Sequence, residues 1–136
     1  MEDLNHGAVS RLFDRIAPMF KNNDLAGFRA CYQVPCMVIT PDQVFSIATE
    51  EAFESFFGRM LAELRTLDYS ESLYDDLRVK TLSPTVALAV MRWRRLKGDG
   101  SVLNAIGTTY TVVKHDGDWR VLTVAIHDTD SMATFA

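Results

Sequence analysis

Residues 49–61 read TEEAFESFFGRML and carry the strongest periodic signal in the chain. Apolar side chains recur every three to four residues through this stretch and on to Leu64, which predicts a helix with one buried face. Thr49 suits the capping position, and Glu50 and Glu51 place negative charge at the positive end of the helix dipole. A helix with such an aromatic face must pack this face against another layer of structure. The residues that follow indicate that this layer is a β-sheet.

The period changes from Tyr69 onward, where apolar and polar residues alternate and Gly, Pro and Asp mark the turns. We predict long strands over Val86–Leu96, Val102–Lys114 and Trp119–His127, joined as an antiparallel meander. The segment Val86–Met91 is apolar on both faces. We therefore expect the helices to cover one face of the sheet and a second copy of the chain, in a homodimer, to cover the other.

Two further helices and a hairpin are predicted before residue 49. An apolar stripe marks a helix over Leu4–Lys21, in which Pro18 predicts a kink or an early end. Asp24 can cap a second, short helix. Met37–Thr40 and Val44–Ile47 then form extended segments on either side of a turn-forming Pro-Asp pair. The predicted fold class is α+β, with three helices packed on a strongly curved antiparallel sheet.

Composition and charge narrow the functional classes. The 136 residues are 48% apolar and 24% charged, as expected for one globular domain spanning 1–136. The formal net charge is -4, and Arg92, Arg94 and Arg95 around Trp93 are too few to bind nucleic acid. The start Met1-Glu2-Asp3 has neither a basic region nor an apolar run, so a cytoplasmic protein with no membrane partner is expected.

Metal and cofactor chemistry is not expected. The histidines are far apart in sequence, and the chain has neither a Cys-x-x-Cys pair nor a His-x-x-x-His spacing that could begin a zinc site. Cys31 and Cys36 both lie among apolar neighbours, which favours two buried, reduced thiols over a disulfide.

The order of these segments resembles a known superfamily. The stretch DLAGFRACY (24–32), the helix TEEAFESFFGRML and the ending GDWRVLTVAIHD (117–128) are similar to the nuclear-transport-factor-2-like superfamily, over nearly the whole chain. The resemblance implies a cone-shaped, SnoaL-like fold with an internal cavity. The superfamily includes ketosteroid isomerase, scytalone dehydratase, limonene epoxide hydrolase, polyketide cyclases and non-catalytic binding or dimerisation modules, so it specifies architecture rather than function.

The catalytic residues of two of these enzymes are not matched. The isomerase base, an aspartate before a proline, corresponds to Thr40 ahead of Pro41, and its first-helix tyrosine corresponds to Ile16. A hydroxyl is a poor base at neutral pH, and isoleucine cannot donate a hydrogen bond. The epoxide hydrolase Arg-x-Asp arrangement corresponds to Arg92-Trp93-Arg94, with an arginine in place of the acid. Neither chemistry is expected.

Cyclases and dehydratases of the superfamily use His and Asp in the cavity, which makes His127 the catalytic candidate. Its imidazole can transfer protons near neutral pH. Asp128 follows it directly and would point to the opposite face of a regular strand, so a dyad is not expected. His127 shares a strand face with Thr123 and Ala125 and looks either into the cavity or outward; a structural role is the alternative.

The candidate pocket combines aromatic side chains that carry polar groups with their neighbours on the same strand face. The predicted lining is Tyr32, Met91, Trp93, Thr108, Tyr110 and Thr123, with ordinary core packing as the alternative. The preferred hypothesis is that a small, largely apolar molecule binds in the cone. The alternatives are an acid-base enzyme of cyclase or dehydratase type using His127, and a pure dimerisation module.

Overall fold

The computed structural model describes residues 2–135, so Met1 and Ala136 lie outside the described range. The order of elements confirms an α+β fold. The helices are α1 (His6–Lys21), α2 (Leu25–Cys31), α3 (Glu50–Arg65) and a short 3-10 helix (Thr129–Ser131). The strands are β1 (Tyr32–Ile39), β2 (Val44–Ile47), β3 (Glu71–Ser83), β4 (Val86–Leu96), β5 (Val102–His115) and β6 (Asp118–His127).

Local capping signals determine where α2 and α3 begin. The Asp24 carboxylate accepts the Gly27 N–H at 2.9 Å, and the Thr49 hydroxyl accepts the Ala52 N–H at 3.1 Å. Both predicted caps are confirmed. Helix α1 continues past Pro18 to Lys21, because the exposed proline removes one donor while its own carbonyl still accepts the Asn22 N–H.

The strands form one open sheet in the order β2-β1-β6-β5-β4-β3. The predicted β1–β2 hairpin and the β3–β6 meander are confirmed. The prediction that every strand pairs antiparallel is wrong, however. Strand β1 runs parallel to β6, with Val38 beside Val124, so the sheet is mixed. This pairing joins strands distant in sequence, and no local pattern predicts it.

The helices cover one face of the sheet, which we call the inner face. Along β4, Ala87, Ala89 and Met91 point inward and are fully buried. Helix α1 packs Phe13 on this face, with its ring centre 4.6 Å from that of Tyr110. The closed core therefore lies between α1 and the central strands.

A β-bulge in β6 changes which residues point inward. Val121 pairs with Val112, but Thr123 pairs with Thr111, so Leu122 has no partner on β5. Such an extra residue resets the alternation of side chains beyond it. Val121 and Val124 consequently both point inward, and Thr123 points to the opposite, outer face of the sheet.

The chain's own carboxyl-terminal segment covers part of the outer face. After β6 it crosses towards β3, where the Arg78 guanidinium donates a hydrogen bond of 2.8 Å to the carbonyl of Ala133. Val90 pairs with Arg78 and Thr109, points outward, and is 0% exposed. The chain itself thus covers one of the outward apolar positions that suggested a homodimer, and the homodimer stays a prediction.

Cys31 and Cys36 are free and buried, as expected. Within residues 2–135, no helix is both long and apolar enough to cross a lipid bilayer. The cytoplasmic location stays a prediction.

We expect Phe13→Ala to lower the free energy of unfolding by about 3–5 kcal/mol, because a fully buried phenyl ring would leave a cavity. Leu4→Ala is the control, since Leu4 is 86% exposed and its truncation should change stability by less than about 0.5 kcal/mol. Urea unfolding of both variants measures the difference. Equal stabilities of the two variants would contradict the placement of α1.

Candidate ligand-binding cavity

A cavity of about 340 Å³ lies between the inner face of the sheet and α3. Most of the side chains around it are aromatic or aliphatic. The helices contribute Phe20, Phe28, Phe56, Phe57, Arg59, Met60 and Glu63. The strands contribute Tyr32, Val38, Phe45, Ser72, Trp93, Arg95, Ile106, Thr108, Tyr110, Val124 and Ile126, and the turn after β1 contributes Thr40.

The cavity exists because α3 is held at the edge of the sheet. Phe56 of α3 packs on Phe45 of the edge strand β2, with ring centres 5.0 Å apart. Phe57 stacks on Phe28 of α2 at 5.8 Å. These aromatic contacts anchor α3 to β2 and α2, and the space between α3 and the central strands stays open.

Two tyrosines and a tryptophan form the buried polar part of the cavity wall. The Trp93 indole N–H donates to the Tyr110 hydroxyl at 3.0 Å. Burial raises the pKa of Tyr110 to about 12. Burial, and then the neighbouring Tyr110, raise the pKa of Tyr32 well above its ordinary value. Both phenols are therefore neutral at physiological pH and act as hydrogen-bonding groups rather than bases.

Two further hydroxyl groups in the wall are already engaged. Ser72 is hydrogen-bonded to the Tyr69 hydroxyl at 2.8 Å. The Thr108 hydroxyl donates to the carbonyl of Met91 at 3.3 Å. These bonds satisfy the side chains within the protein, so they leave the surface of the cavity largely apolar.

Arg95 is the charged group of the inner strand face that lines this cavity. It follows Met91 and Trp93 at spacings of two along β4, which turns it inward. Its Nη1 donates to the Asn104 side-chain oxygen at 3.3 Å, and its buried Nε has no hydrogen-bond partner. Burial lowers the pKa of Arg95, although a guanidinium keeps its charge in proteins.

Of the six residues predicted to line the pocket, Tyr32, Trp93, Thr108 and Tyr110 lie in the cavity wall. Met91 and Thr123 do not. Met91 points inward but is fully enclosed in the core. Thr123 lies on the outer face because the bulge at Leu122 reverses the expected alternation.

His127 also lies on the outer face, away from the cavity. It pairs with Gly107, while the neighbouring Ile126 lines the cavity. Its Nε2 lies 2.8 Å from the Thr109 hydroxyl, and its Nδ1 lies 2.9 Å from the Asp128 carbonyl. A neutral imidazole satisfies both contacts, with Nδ1 donating and Nε2 accepting. The hypothesis that His127 transfers protons inside the cavity is therefore corrected.

Gly107 makes this position of His127 possible. A β-carbon on Gly107 would lie 2.6 Å from the His127 ring and 2.7 Å from the Asp128 carbonyl oxygen. A side chain there would push both groups away. The arrangement therefore holds the turn that leads from β6 into the carboxyl-terminal segment, which is a structural role.

The sequence analysis missed the contributions of α3 and of Arg95. The stripe containing Phe56 and Met60 predicted helix packing, and nothing in it distinguished a cavity wall from core. Arg95 could have been found, because alternation from Trp93 places it on the same face. The sequence-based expectation instead treated Arg95 only as one of three arginines that are too few to bind nucleic acid.

The lining residues include few groups that could act as acids or bases. Among the described lining residues, Glu63 is the one that carries a carboxylate, and its side chain is exposed. No histidine is among these lining residues. Thr40, the position matched to the isomerase base, lies in the wall, but its hydroxyl oxygen accepts the Gln43 N–H in the hairpin turn. Within residues 2–135, no three or more His, Cys, Asp or Glu side chains cluster as metal ligands.

Comparisons with known proteins agree with this architecture. A family model described as "NTF2-like protein (DUF6841)" matches residues 3–129. No curated protein matches the chain in sequence.

Solved structures show the same fold at low identity. An NTF-2 like protein of unknown function from Shewanella oneidensis has a TM-score of 0.73 and 16% identity, over 90% of this chain and 98% of that one. A cystatin-like NTF2-like protein from Novosphingobium aromaticivorans has a TM-score of 0.74 and 13% identity, over 95% and 84%. A cystatin-like protein of unknown function from Nostoc punctiforme has a TM-score of 0.73 and 14% identity, over 96% and 97%.

We expect Tyr110→Phe to lower the free energy of unfolding at neutral pH by about 1–3 kcal/mol, because the buried Trp93 N–H loses its acceptor. The pKa of Tyr110 is about 12 in the folded state because the hydroxyl is buried, against an ordinary value of 10.0. The unfolded chain therefore loses this proton first, and the wild type loses stability as the pH rises from about 10 towards 12. The variant lacks this contribution, so the stability difference should shrink over that interval. Denaturant unfolding from pH 9 to 11.5 measures it, and parallel profiles would contradict the prediction.

Proposed function

The chain belongs to the NTF2-like family described as DUF6841, and we propose that it binds a small, largely apolar molecule in the cavity between α3 and the sheet. The observation that carries the proposal is an open space bounded mainly by aromatic and aliphatic side chains. Its volume, about 340 Å³, lies at the lower end of the range typical of small-molecule sites.

The partly exposed residues of the wall support this proposal. Phe45, Phe56 and Met60 keep part of their apolar surface uncovered beside the cavity. A ligand that covers this surface gains the free energy of removing it from water. The neutral Tyr32 and Tyr110 hydroxyls can fix the orientation of such a ligand.

A homodimer through the outer face is a second, compatible proposal. Val86 and Val113 are direct partners on β4 and β5, and Leu88 lies two residues further along the same face. All three are only partly buried, and the chain's own helices lie on the opposite face. A second copy of the chain could cover this apolar group in a symmetric contact.

Binding can be tested with the neutral dye N-phenyl-1-naphthylamine, whose fluorescence rises in apolar surroundings. We expect saturable binding to the unmodified protein and at least about tenfold weaker binding to Ile106→Trp, since a larger side chain would fill the cavity. Ala105→Trp is the matched control, because the neighbouring residue is exposed on the other face of β5. If both variants bind the dye like the unmodified protein, the cavity is not the site.

Association can be tested by light scattering at tens of micromolar protein. We expect the mass of a dimer for the unmodified chain and of a monomer for Leu88→Asp, because a charge would be buried in the interface. Leu4→Asp changes an 86% exposed residue and should leave the mass unchanged. A monomer for the unmodified chain would rule out a dimer in this concentration range.

A further inference from the structure

Resting on the proposed function, we infer that the ligand is an apolar molecule carrying a single carboxylate, which pairs with the Arg95 guanidinium inside the cavity. Arg95 differs in its charge partners from the other arginines near it.

The neighbouring arginines of β4 have a carboxylate partner, and Arg95 does not. Arg92 and Arg94 point outward, and both contact Asp75, at 2.8 and 3.5 Å. Arg95 points inward to the cavity, where its polar contact among the described residues is the neutral amide of Asn104. Its charge is therefore not neutralised by any carboxylate that the structure describes.

Part of the Arg95 guanidinium is also shielded from water by its surroundings. Its Nε is buried and has no partner, and its guanidinium carbon lies 5.8 Å from the centre of the Phe20 ring. The aromatic face offers weak compensation for a charge that has lost solvent. Removing a charge from water is costly unless an opposite charge is paired with it. A carboxylate entering the cavity would supply that pair and accept from the free guanidinium donors.

The remaining charges of the cavity point to one anionic group. Arg59 and Glu63 lie one helical turn apart on α3, are both exposed, and carry opposite signs at the wall. They add no net positive charge. The rest of the wall is dominated by apolar side chains. A single carboxylate on an apolar body fits this pattern, whereas a multiply charged phosphate needs more cationic donors than Arg95 alone provides.

The test compares two probes of the same shape, 2-naphthoate and the neutral 2-naphthalenemethanol, by titration calorimetry. With the unmodified protein, we expect the acid to bind at least about tenfold more tightly than the alcohol, the difference expected for one charge-assisted hydrogen-bonded pair. In Arg95→Met, affinity for the acid should fall to that of the alcohol, and affinity for the alcohol should change by less than about threefold. Arg95→Lys should keep part of the preference, because the positive charge remains.

Arg92→Met is the matched control, since it removes an arginine of the same strand that points to the outer face and should leave the preference for the acid in place. We also expect the unfolding temperature of ligand-free Arg95→Met to equal or exceed that of the unmodified protein, because an unpaired charge is removed. Equal affinities of the unmodified protein for the two probes would overturn the carboxylate inference and leave the proposed binding function standing. A preference for the acid that persists in Arg95→Met would also overturn it. Failure of both probes and of the neutral dye to bind would overturn both proposals.

Discussion

The extra residue Leu122 in β6 is the constraint on which the division of the sheet into two functional faces depends. Side chains alternate along a strand, so one unpaired residue exchanges the faces of everything that follows it. In a strand without the bulge, Thr123 and His127 would share the inner face with the buried Val121, because residues separated by an even number of positions point the same way. With it, Val124 and Ile126 reach the cavity instead. The bulge therefore replaces a polar, titratable wall with an aliphatic one, and this decides which chemistry the cavity can support.

The inner face combines a closed core with an open cavity because the three helices are attached differently. Helix α1 lies directly on the sheet and seals it with Phe13. Helix α3 is anchored through Phe56 and Phe57 to its neighbours β2 and α2, and it leaves a gap over the central strands. The gap forgoes apolar burial that a collapsed arrangement would provide. The well-packed α1 side buries apolar surface elsewhere in the core and holds the central strands in place.

Local signals in the sequence were sufficient to predict the helices and strands. They were not sufficient to predict which face of the sheet each side chain occupies. The caps at Asp24 and Thr49 and the turns between β3 and β6 depend on neighbouring residues, and they could be predicted. The β1–β6 pairing and the bulge at Leu122 depend on contacts between distant segments. Trp93 and Tyr110 were placed correctly in the wall because their strands alternate regularly there, whereas Thr123 was misplaced because it follows the bulge. The inward position of Arg95 could have been predicted in the same way, because it lies two residues after Trp93 on the same strand.

On the outer face, polar and charged side chains hold the carboxyl-terminal segment against the sheet. A second irregularity, at Asp76 in β3, has a positive φ of 56° and places the Asp76 carboxylate on the Arg78 guanidinium. Arg78 then binds the carboxyl-terminal carbonyls, while His127 fixes the start of the same segment beside Gly107. The two bulges thus hold the carboxyl-terminal segment at both ends, across the level of Val90. The apolar group around Leu88 on β4 and β5 stays partly uncovered, and it is the surface to which we assign the proposed contact with a second copy of the chain. Because that surface and the cavity lie on opposite faces, the proposed association and the proposed ligand binding would not compete for the same residues.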